Sequence, residues 1–157
     1  MARNIEIKAR VADSGPVEIP QDDTFFRCDN GRLKLRAFAD GRGELIFYRR
    51  ADADGPKVSF YVLSPTESPD TLREALTLAN GQEGRVAKHR TLFLVGRTRV
   101  HLDRVDGLGD FMELEVVLDD GESPDVGVRE AQALMARLGI GPDSLVTGAY
   151  HDLLRAR

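Results

Sequence analysis

The sequence predicts an α+β protein in which about eight antiparallel β-strands carry two or three helices. Three observations support this fold class. Apolar and polar residues alternate with a period of two in one segment after another, which is typical of half-buried strands. Turn signals rich in Gly, Asp and Pro separate these segments. Apolar residues at helical spacing occur in only a few stretches. A length of 157 residues suits a single domain over 1–157.

The first half of the chain contains four predicted strands. Residues 5–11 and 32–38 place charged side chains on one face and apolar side chains on the other. The turn signal at 40–43 predicts a hairpin, so residues 44–50 form the returning strand. Residues 57–62 alternate again after a Gly-Pro turn and complete this half of the sheet.

The second half combines strands with helices. A helix is predicted where Ser68 can cap the first turn, Pro69 suits its start and Gly81 ends the apolar stripe. A second helix is predicted from Ser123 to Leu138, and a short one over 150–154. Three further strands are predicted between the two longer helices, over residues 84–95, 99–105 and 111–118.

The composition excludes several classes of protein. One cysteine, Cys28, excludes an internal disulfide and a multi-cysteine metal site. No apolar run approaches the ~18 residues of a membrane helix, and no apolar stretch at the N-terminus resembles a signal peptide. We therefore expect a cytoplasmic protein without a membrane partner. The net charge of −4 does not favour nucleic acid as a partner, and an anion site requires local clustering of basic residues.

One face of nearly every predicted strand carries several charges. Arg32, Lys34 and Arg36 lie roughly 7 Å apart along one face and repel one another unless an anion lies across them. The alternative is that each charged face is the solvent-facing side of a half-buried strand. Taken together, the faces favour the polar lining of a closed barrel with apolar residues outside. Similar faces occur at Glu6 and Lys8, at Lys88 and Arg90, and at Arg99, His101 and Asp103.

Carboxylates among these cations indicate a metal site. Glu113 and Glu115 share one strand face, and Glu6 can add a third hard oxygen ligand. Mg²⁺ or Mn²⁺ bound there could bridge to phosphate oxygens, while Lys and Arg side chains neutralise the remaining phosphate charge. The pattern therefore predicts a site for a metal–triphosphate complex.

Several motifs occur in a distinctive order. Asn4-Ile5-Glu6-Ile7-Lys8 has the form of an ExExK signature apart from its first residue. Arg32-Leu33-Lys34-Leu35-Arg36 follows, then Gly107-Leu108-Gly109-Asp110-Phe111-Met112-Glu113-Leu114-Glu115, and Tyr150-His151-Asp152-Leu153-Leu154 comes last. Together they resemble the CYTH family, or triphosphate tunnel metalloenzymes, which includes class IV adenylate cyclases, thiamine triphosphatases and inorganic tripolyphosphatases. The last two motifs look closest to the bacterial class IV adenylate cyclase-like branch.

The resemblance implies a fold, a metal site and a substrate path. The fold would be an eight-stranded antiparallel β-barrel, a triphosphate tunnel with a few flanking helices. Mg²⁺ or Mn²⁺ would be held by Glu6, Glu113, Glu115 and, less strongly, Asp103. Lys8, Glu113 and Glu115 would be catalytic. The triphosphate would lie along Lys8, Arg32, Lys34, Arg36, Arg50, Lys57, Lys88, Arg90 and Arg99, with Arg49 replacing Arg50 if the strand register shifts by one.

Two departures from the family pattern stand out. Asn4 replaces the first Glu of the signature, so a metal ion bound there would be held more weakly. Residues 12–20 form a link too short and too rich in proline for the helix that the family usually has after its first strand.

The sequence leaves three functions open. The first is conversion of ATP to cyclic AMP and pyrophosphate, in which the ribose 3′-oxygen attacks the α-phosphate. The second is hydrolysis of inorganic tripolyphosphate, thiamine triphosphate or nucleoside triphosphates by water. The third is a non-catalytic module that binds polyphosphate or nucleotides. The expected partner is a small-molecule triphosphate, ATP or tripolyphosphate, and a homodimer is compatible with the chain.

Overall fold

The computed structural model describes residues 13–50, 59–141, 145 and 150–156, which form one antiparallel sheet with three helices. The strands follow the order β4-β3-β2-β1-β5-β6-β7 across the sheet. Their bounds are β1 Ser14–Phe26, β2 Arg32–Phe38, β3 Gly43–Arg50, β4 Ser59–Thr66, β5 Gln82–Val95, β6 Thr98–Val105 and β7 Gly109–Val116. The helices are α1 Pro69–Asn80, α2 Pro124–Leu138 and α3 Tyr150–Arg155.

The predicted α+β class and antiparallel sheet are confirmed, with seven strands among the described residues. Six of the predicted strands correspond to β2 to β7, whereas β1 was not predicted as a strand, and the remaining predicted strand, residues 5–11, lies outside the described residues. Within the described part of the chain, β4 and β7 are the two edges of the sheet. Closure into an eight-stranded barrel therefore stays a prediction.

Residues 14–20, predicted to be a link between strands, belong instead to the long strand β1. Among the described residues, this stretch pairs with β5, while pairing with β2 begins at Gln21. Pro16 and Pro20 therefore lie where β1 has one described neighbour. A missing N–H is tolerated at such an edge, which explains why two prolines did not prevent a strand.

The two longer helices begin and end where the sequence predicts. In α2, Ser123 accepts a hydrogen bond from the backbone N–H of Asp125 at 3.3 Å, and Gly139 ends the helix in the left-handed conformation at φ 71°. In α1, Pro69 occupies the first turn and Gly81 follows the last residue. The predicted capping bond from the Ser68 side chain is not formed.

The helices cover both sides of the sheet. α2 packs Leu134 against Phe93 and Val100 on one face. On the same side α1 contacts β1 and β2, and its Arg73 donates to Thr24 of β1 at 3.0 Å. α3 lies on the opposite face, where Tyr150 and Leu154 pack against Phe25, Val86 and Val105. No described helix is both long and apolar enough to cross a membrane.

The sheet curls around the face that α3 contacts, which we call the inner face. β2 and β7 are separated by four strand spacings in the sheet order, or about 19 Å if the sheet were flat. Glu113 on β7 nevertheless interacts electrostatically with Lys34 on β2. The curl therefore brings charged side chains from separate strands together.

Candidate functional site

Three basic side chains converge on one carboxylate at the centre of the inner face. Arg36 on β2 donates two hydrogen bonds to Asp23 on β1, at 2.8 and 2.9 Å. Lys88 Nζ on β5 lies 3.4 Å from Asp23 Oδ2, and Lys34 Nζ lies 3.6 Å from the same oxygen. We call Lys34, Arg36 and Lys88 the inner cation cluster. Its members come from two strands that flank β1, so the sheet order itself assembles it.

Burial gives this cluster unusual protonation properties. Asp23 is 1% exposed, and burial alone would raise the pKa of its carboxyl. The attraction of the three cations for the carboxylate is stronger than this effect of burial, so the pKa of Asp23 lies far below its usual range. Burial lowers the pKa of Lys34 to about 7 and also lowers the pKa of Lys88. One carboxylate does not neutralise three cations, so the cluster favours a further anion.

A second network of charges lies beside this cluster, on β5, β6 and β7. Arg90 donates to both oxygens of Asp103 at 2.8 Å. The Tyr150 hydroxyl donates to Asp103 Oδ2 at 2.9 Å. Arg90 also donates to Glu113 Oε2 at 3.3 Å. Asp103 therefore anchors Arg90 and Tyr150, while Glu113 has only one of its oxygens near Arg90.

The protonation states follow from these contacts. Burial works against the charge on Arg90, but Asp103 and Glu113 raise its pKa above the usual range. Burial raises the pKa of Tyr150, and the two carboxylates raise it further, so the phenol stays protonated and donates. Burial would raise the pKa of Glu113, but His101, Arg90 and Lys88 hold it well below the usual range. Glu113 is therefore ionised at neutral pH.

Two carboxylates on β7 are suited to a hard divalent cation. Glu113 and Glu115 stand on the inner face, opposite His101 and Arg99 of β6, and their side chains are 38% and 44% exposed. Carboxylate oxygens are the kind of hard ligand that Mg²⁺ and Mn²⁺ prefer. Among the described residues, no group of three or more His, Cys, Asp or Glu side chains is arranged to hold a metal ion. Asp103 engages Arg90 and Tyr150 with its oxygens, which favours an anchoring role for it.

The structure brings most of the predicted site residues to one face. Strand register assigns nine of them to the inner face: Arg32, Lys34, Arg36, Lys88, Arg90, Arg99, Asp103, Glu113 and Glu115. Arg32 pairs with Asp152 of α3 at 2.8 Å. Arg99 lies at the rim, 3.5 Å from Glu115.

Four predicted site residues cannot be located in this way. Glu6, Lys8 and Lys57 lie outside the described residues, as does the side chain of Arg50. Arg49, the alternative to Arg50, donates to the backbone oxygen of Asn30 at 2.6 Å and lies over the Phe47 ring. It is therefore directed away from the inner cation cluster.

Sequence reasoning missed two inner-face residues of β1. Asp23 is the carboxylate that organises the cluster, and Gln21, only 6% exposed, has a side-chain oxygen without a hydrogen-bond partner among the described residues. Both follow directly after the proline-containing link predicted over residues 12–20, in a stretch to which no strand was assigned. The alternation of Gln21, Asp23 and Phe25 was the available signal, since it continues the period-two pattern of the other strands.

Comparison with known proteins agrees with this architecture. The CYTH domain family model matches residues 2–150. Adenylate cyclase CyaB of Aeromonas hydrophila is 34% identical over 77 residues, which cover 49% of this chain and 40% of that relative. The chain therefore spans less than half the length of the curated relative it matches.

Solved structures share the fold at low identity. The PH1012 protein from Pyrococcus horikoshii OT3 superposes with a TM-score of 0.85 at 20% identity, covering 98% of this chain and 93% of that one. A candidate adenylate cyclase from Vibrio parahaemolyticus gives 0.78 at 19% identity, covering 98% and 91%. At this identity the likeness shows the fold alone.

Proposed function

The chain belongs to the CYTH domain family, and from that premise we propose that it is a metal-dependent enzyme acting on triphosphates. The first candidate activity is adenylate cyclase-like, the conversion of ATP to cyclic AMP and pyrophosphate. The observation that carries the proposal is the inner cation cluster, in which Lys34, Arg36 and Lys88 surround one buried carboxylate. The relationship to adenylate cyclase CyaB favours the cyclase among the activities of the family.

The cation cluster is suited to a polyanion of several charges. Arg36 offers a planar guanidinium that can donate two parallel hydrogen bonds to phosphate oxygens, while Lys34 and Lys88 act as point charges. The three side chains are already held in place by Asp23, so little side-chain freedom is lost when a ligand binds. Arg90, fixed by Asp103, extends the positive region towards Glu113.

Glu113 and Glu115 are the described residues that would hold Mg²⁺ or Mn²⁺, and Glu6, from outside the described residues, would complete the set. When bound, a divalent ion would neutralise charge on the phosphate oxygens beside these carboxylates. The side chains of the protein do the remaining work. Lys34, Arg36 and Lys88 bind and orient the phosphate chain, and Arg90 supplies positive charge where negative charge develops on the leaving phosphates.

Hydrolysis of a triphosphate is the second candidate activity, because the inner cation cluster recognises phosphate groups that both substrates share. In the cyclase, the ribose 3′-oxygen displaces pyrophosphate from the α-phosphorus and the 3′-hydroxyl proton passes to a base. In the hydrolase, water attacks the terminal phosphorus, the rest of the substrate leaves as a diphosphate, and orthophosphate is released while the water proton passes to a base. The third candidate is a module that binds polyphosphate or nucleotides without turnover.

A panel of substrates separates these activities. The protein is incubated with ATP, GTP, thiamine triphosphate and tripolyphosphate, in Mg²⁺ and in Mn²⁺, and the products are resolved by chromatography. We expect cyclic AMP and pyrophosphate from ATP. Release of orthophosphate without any cyclic nucleotide would show that the protein is a triphosphatase and not a cyclase. Binding without any product would reduce the protein to a binding module, and the absence of both binding and product would overturn the proposal.

A further inference from the structure

Gln21 is a buried amide on the inner face whose side-chain oxygen has no hydrogen-bond partner in the part of the chain that the structure describes. Strand register places Gln21 between Phe38 of β2 and Lys88 of β5. A buried amide oxygen without a donor costs free energy. Such a group in a folded protein indicates a donor that arrives with a ligand or with water.

The basic side chains near Gln21 are directed to Asp23, which lies two positions along the same face and about 7 Å away. Arg36 donates two hydrogen bonds to Asp23, and Lys88 Nζ lies 3.4 Å from Asp23 Oδ2. The ionised phosphate oxygens of a ligand are acceptors, so they cannot donate to the Gln21 oxygen. Its donor is therefore a group that carries an O–H or N–H bond.

A cavity of about 650 Å³ opens beside Gln21, on the side away from Asp23. Its lining includes Ile19, which precedes Gln21 on the same face, and Phe38, the register partner of Gln21. Four acidic side chains and one basic side chain also line it, namely Glu18, Asp40, Glu44, Glu67 and Arg42. This excess of negative charge repels phosphate groups, while the volume admits water. A phosphate chain held by the inner cation cluster would therefore end near Gln21, where water can reach it.

We propose that Gln21 holds the water molecule that attacks the terminal phosphorus of a triphosphate. The inference rests on the hydrolytic activity in the proposed function and names a catalytic residue for it. Water suits this position because it has two protons, of which one is donated to the Gln21 oxygen and the other passes to a base. A ribose hydroxyl has a single proton, which the cyclase reaction must remove.

In this step the water oxygen forms a bond to the terminal phosphorus, and the bond from that phosphorus to the bridging oxygen breaks. The bridging oxygen leaves with the electron pair, as part of pyrophosphate when the substrate is tripolyphosphate. One water proton passes to a base, and the proton donated to Gln21 stays on the orthophosphate that is released. Gln21 is not the base, since a neutral amide orients the water without taking its proton.

Gln21→Met tests this role, because methionine has a similar size but lacks the amide acceptor. The substrate is tripolyphosphate with Mg²⁺, for which water is the only nucleophile. Three quantities are measured on the full-length protein: kcat for orthophosphate release, the Kd of the non-hydrolysable imido analogue of tripolyphosphate, and the midpoint of urea denaturation. Gln132→Met, at an exposed position on α2, is the matched control.

We expect Gln21→Met to lower kcat about tenfold or more, while the Kd changes by less than about twofold. The urea midpoint should not fall below that of the wild-type protein, because the substitution removes a buried oxygen that lacks a partner. A purely structural role for Gln21 predicts the reverse, a lower midpoint with kcat retained by the folded molecules. The control should match the wild-type protein in all three quantities.

An unchanged kcat in Gln21→Met, or a loss of activity no larger than the loss of folded protein, would overturn the inference and leave the proposed function intact. The same conclusion would follow if the wild-type protein formed cyclic AMP but released no orthophosphate from any triphosphate. If the wild-type protein formed no product from any triphosphate, the proposed enzyme and the inference would fail together.

Discussion

At the scale of single residues, Asp23 explains how three cations can share the inner face before a ligand binds. The cluster side chains are at most 16% exposed, so their mutual repulsion is screened little by solvent. Asp23 supplies the opposing charge and holds each cation in place. The same arrangement leaves surplus positive charge on the inner face.

Replacing Asp23 with Asn should destabilise the fold strongly. The change removes the carboxylate and leaves Lys34, Arg36 and Lys88 buried together. We expect a loss of about 3 kcal/mol in the free energy of unfolding, measured by urea denaturation. Added tripolyphosphate should restore part of that stability, because it replaces the missing negative charge.

Asp22→Asn is the matched control, since Asp22 occupies the opposite face of β1 and pairs with Arg85 in a largely exposed contact. Its loss should cost about 1 kcal/mol or less. Equal effects of the two variants would contradict the role given to Asp23.

We expect Lys34 to make triphosphate binding depend on pH. Burial lowers its pKa to about 7, and a bound polyanion would raise that pKa by favouring the ammonium form. Triphosphate binding should therefore take up a proton, and affinity should fall as pH rises above 7, by about tenfold per unit at most. Calorimetry in buffers of different ionisation enthalpy measures the proton uptake.

Lys34→Arg provides the control, because arginine keeps its charge throughout this range. Its proton uptake should shrink and its pH profile should flatten. A profile identical to that of the wild-type protein would remove Lys34 from the phosphate path.

Glu113→Ala and Glu115→Ala should each lower turnover by about 100-fold or more, because each removes a proposed metal ligand. Both side chains are partly exposed, so the fold should be retained, as judged by circular dichroism. Activity is followed as product formation with Mn²⁺, beside the Glu74→Ala control. Full activity in both variants would show that the metal ion is held elsewhere.

At the scale of secondary structure, α3 connects the two halves of the inner face. Tyr150 donates to Asp103 on β6, while Asp152 pairs with Arg32 on β2. The Tyr150 ring also lies beneath Lys88, whose Nζ is 5.0 Å from its centre. One short helix therefore contacts both charge networks and closes part of the face.

Tyr150→Phe tests this link with a minimal change. The variant keeps the ring that packs on Phe111 but loses the hydrogen bond to the ionised Asp103. We expect the free energy of unfolding to fall by about 1–3 kcal/mol in urea denaturation. Tyr61→Phe, on the exposed part of β4, should change it by less than about 0.5 kcal/mol. No difference between the two would argue against the hydrogen bond.

The elements that could be predicted from sequence are those with a strong local signal. Helices α1 and α2 have Ser-Pro-Asp starts and glycine ends, and six of the seven described strands alternate clearly. β1 could not be predicted, because two prolines suppress the strand signal in its first half, where pairing with β5 compensates for them among the described residues. Asp23 could not be told apart from its neighbour Asp22 in the sequence. Only the alternation of side chains within a strand places the two aspartates on opposite faces, and no strand was predicted there.

At the scale of the whole molecule, curvature of the sheet converts separate charged strands into one site. The chain carries a net charge of −4, yet its inner face gathers cations from β2 and β5 around β1. Which charged residues share a face could be predicted from period-two alternation. How closely they approach could not, because the distances depend on strand order and on the curl of the sheet.

A crystal structure of the protein with tripolyphosphate and Mn²⁺ tests the central claim most directly. It should show phosphate oxygens within about 3 Å of Lys34, Arg36 and Lys88. Anomalous scattering should locate Mn²⁺ beside Glu113 and Glu115. Phosphate bound on the outer side of the sheet, with the inner cation cluster still paired only to Asp23, would contradict the account.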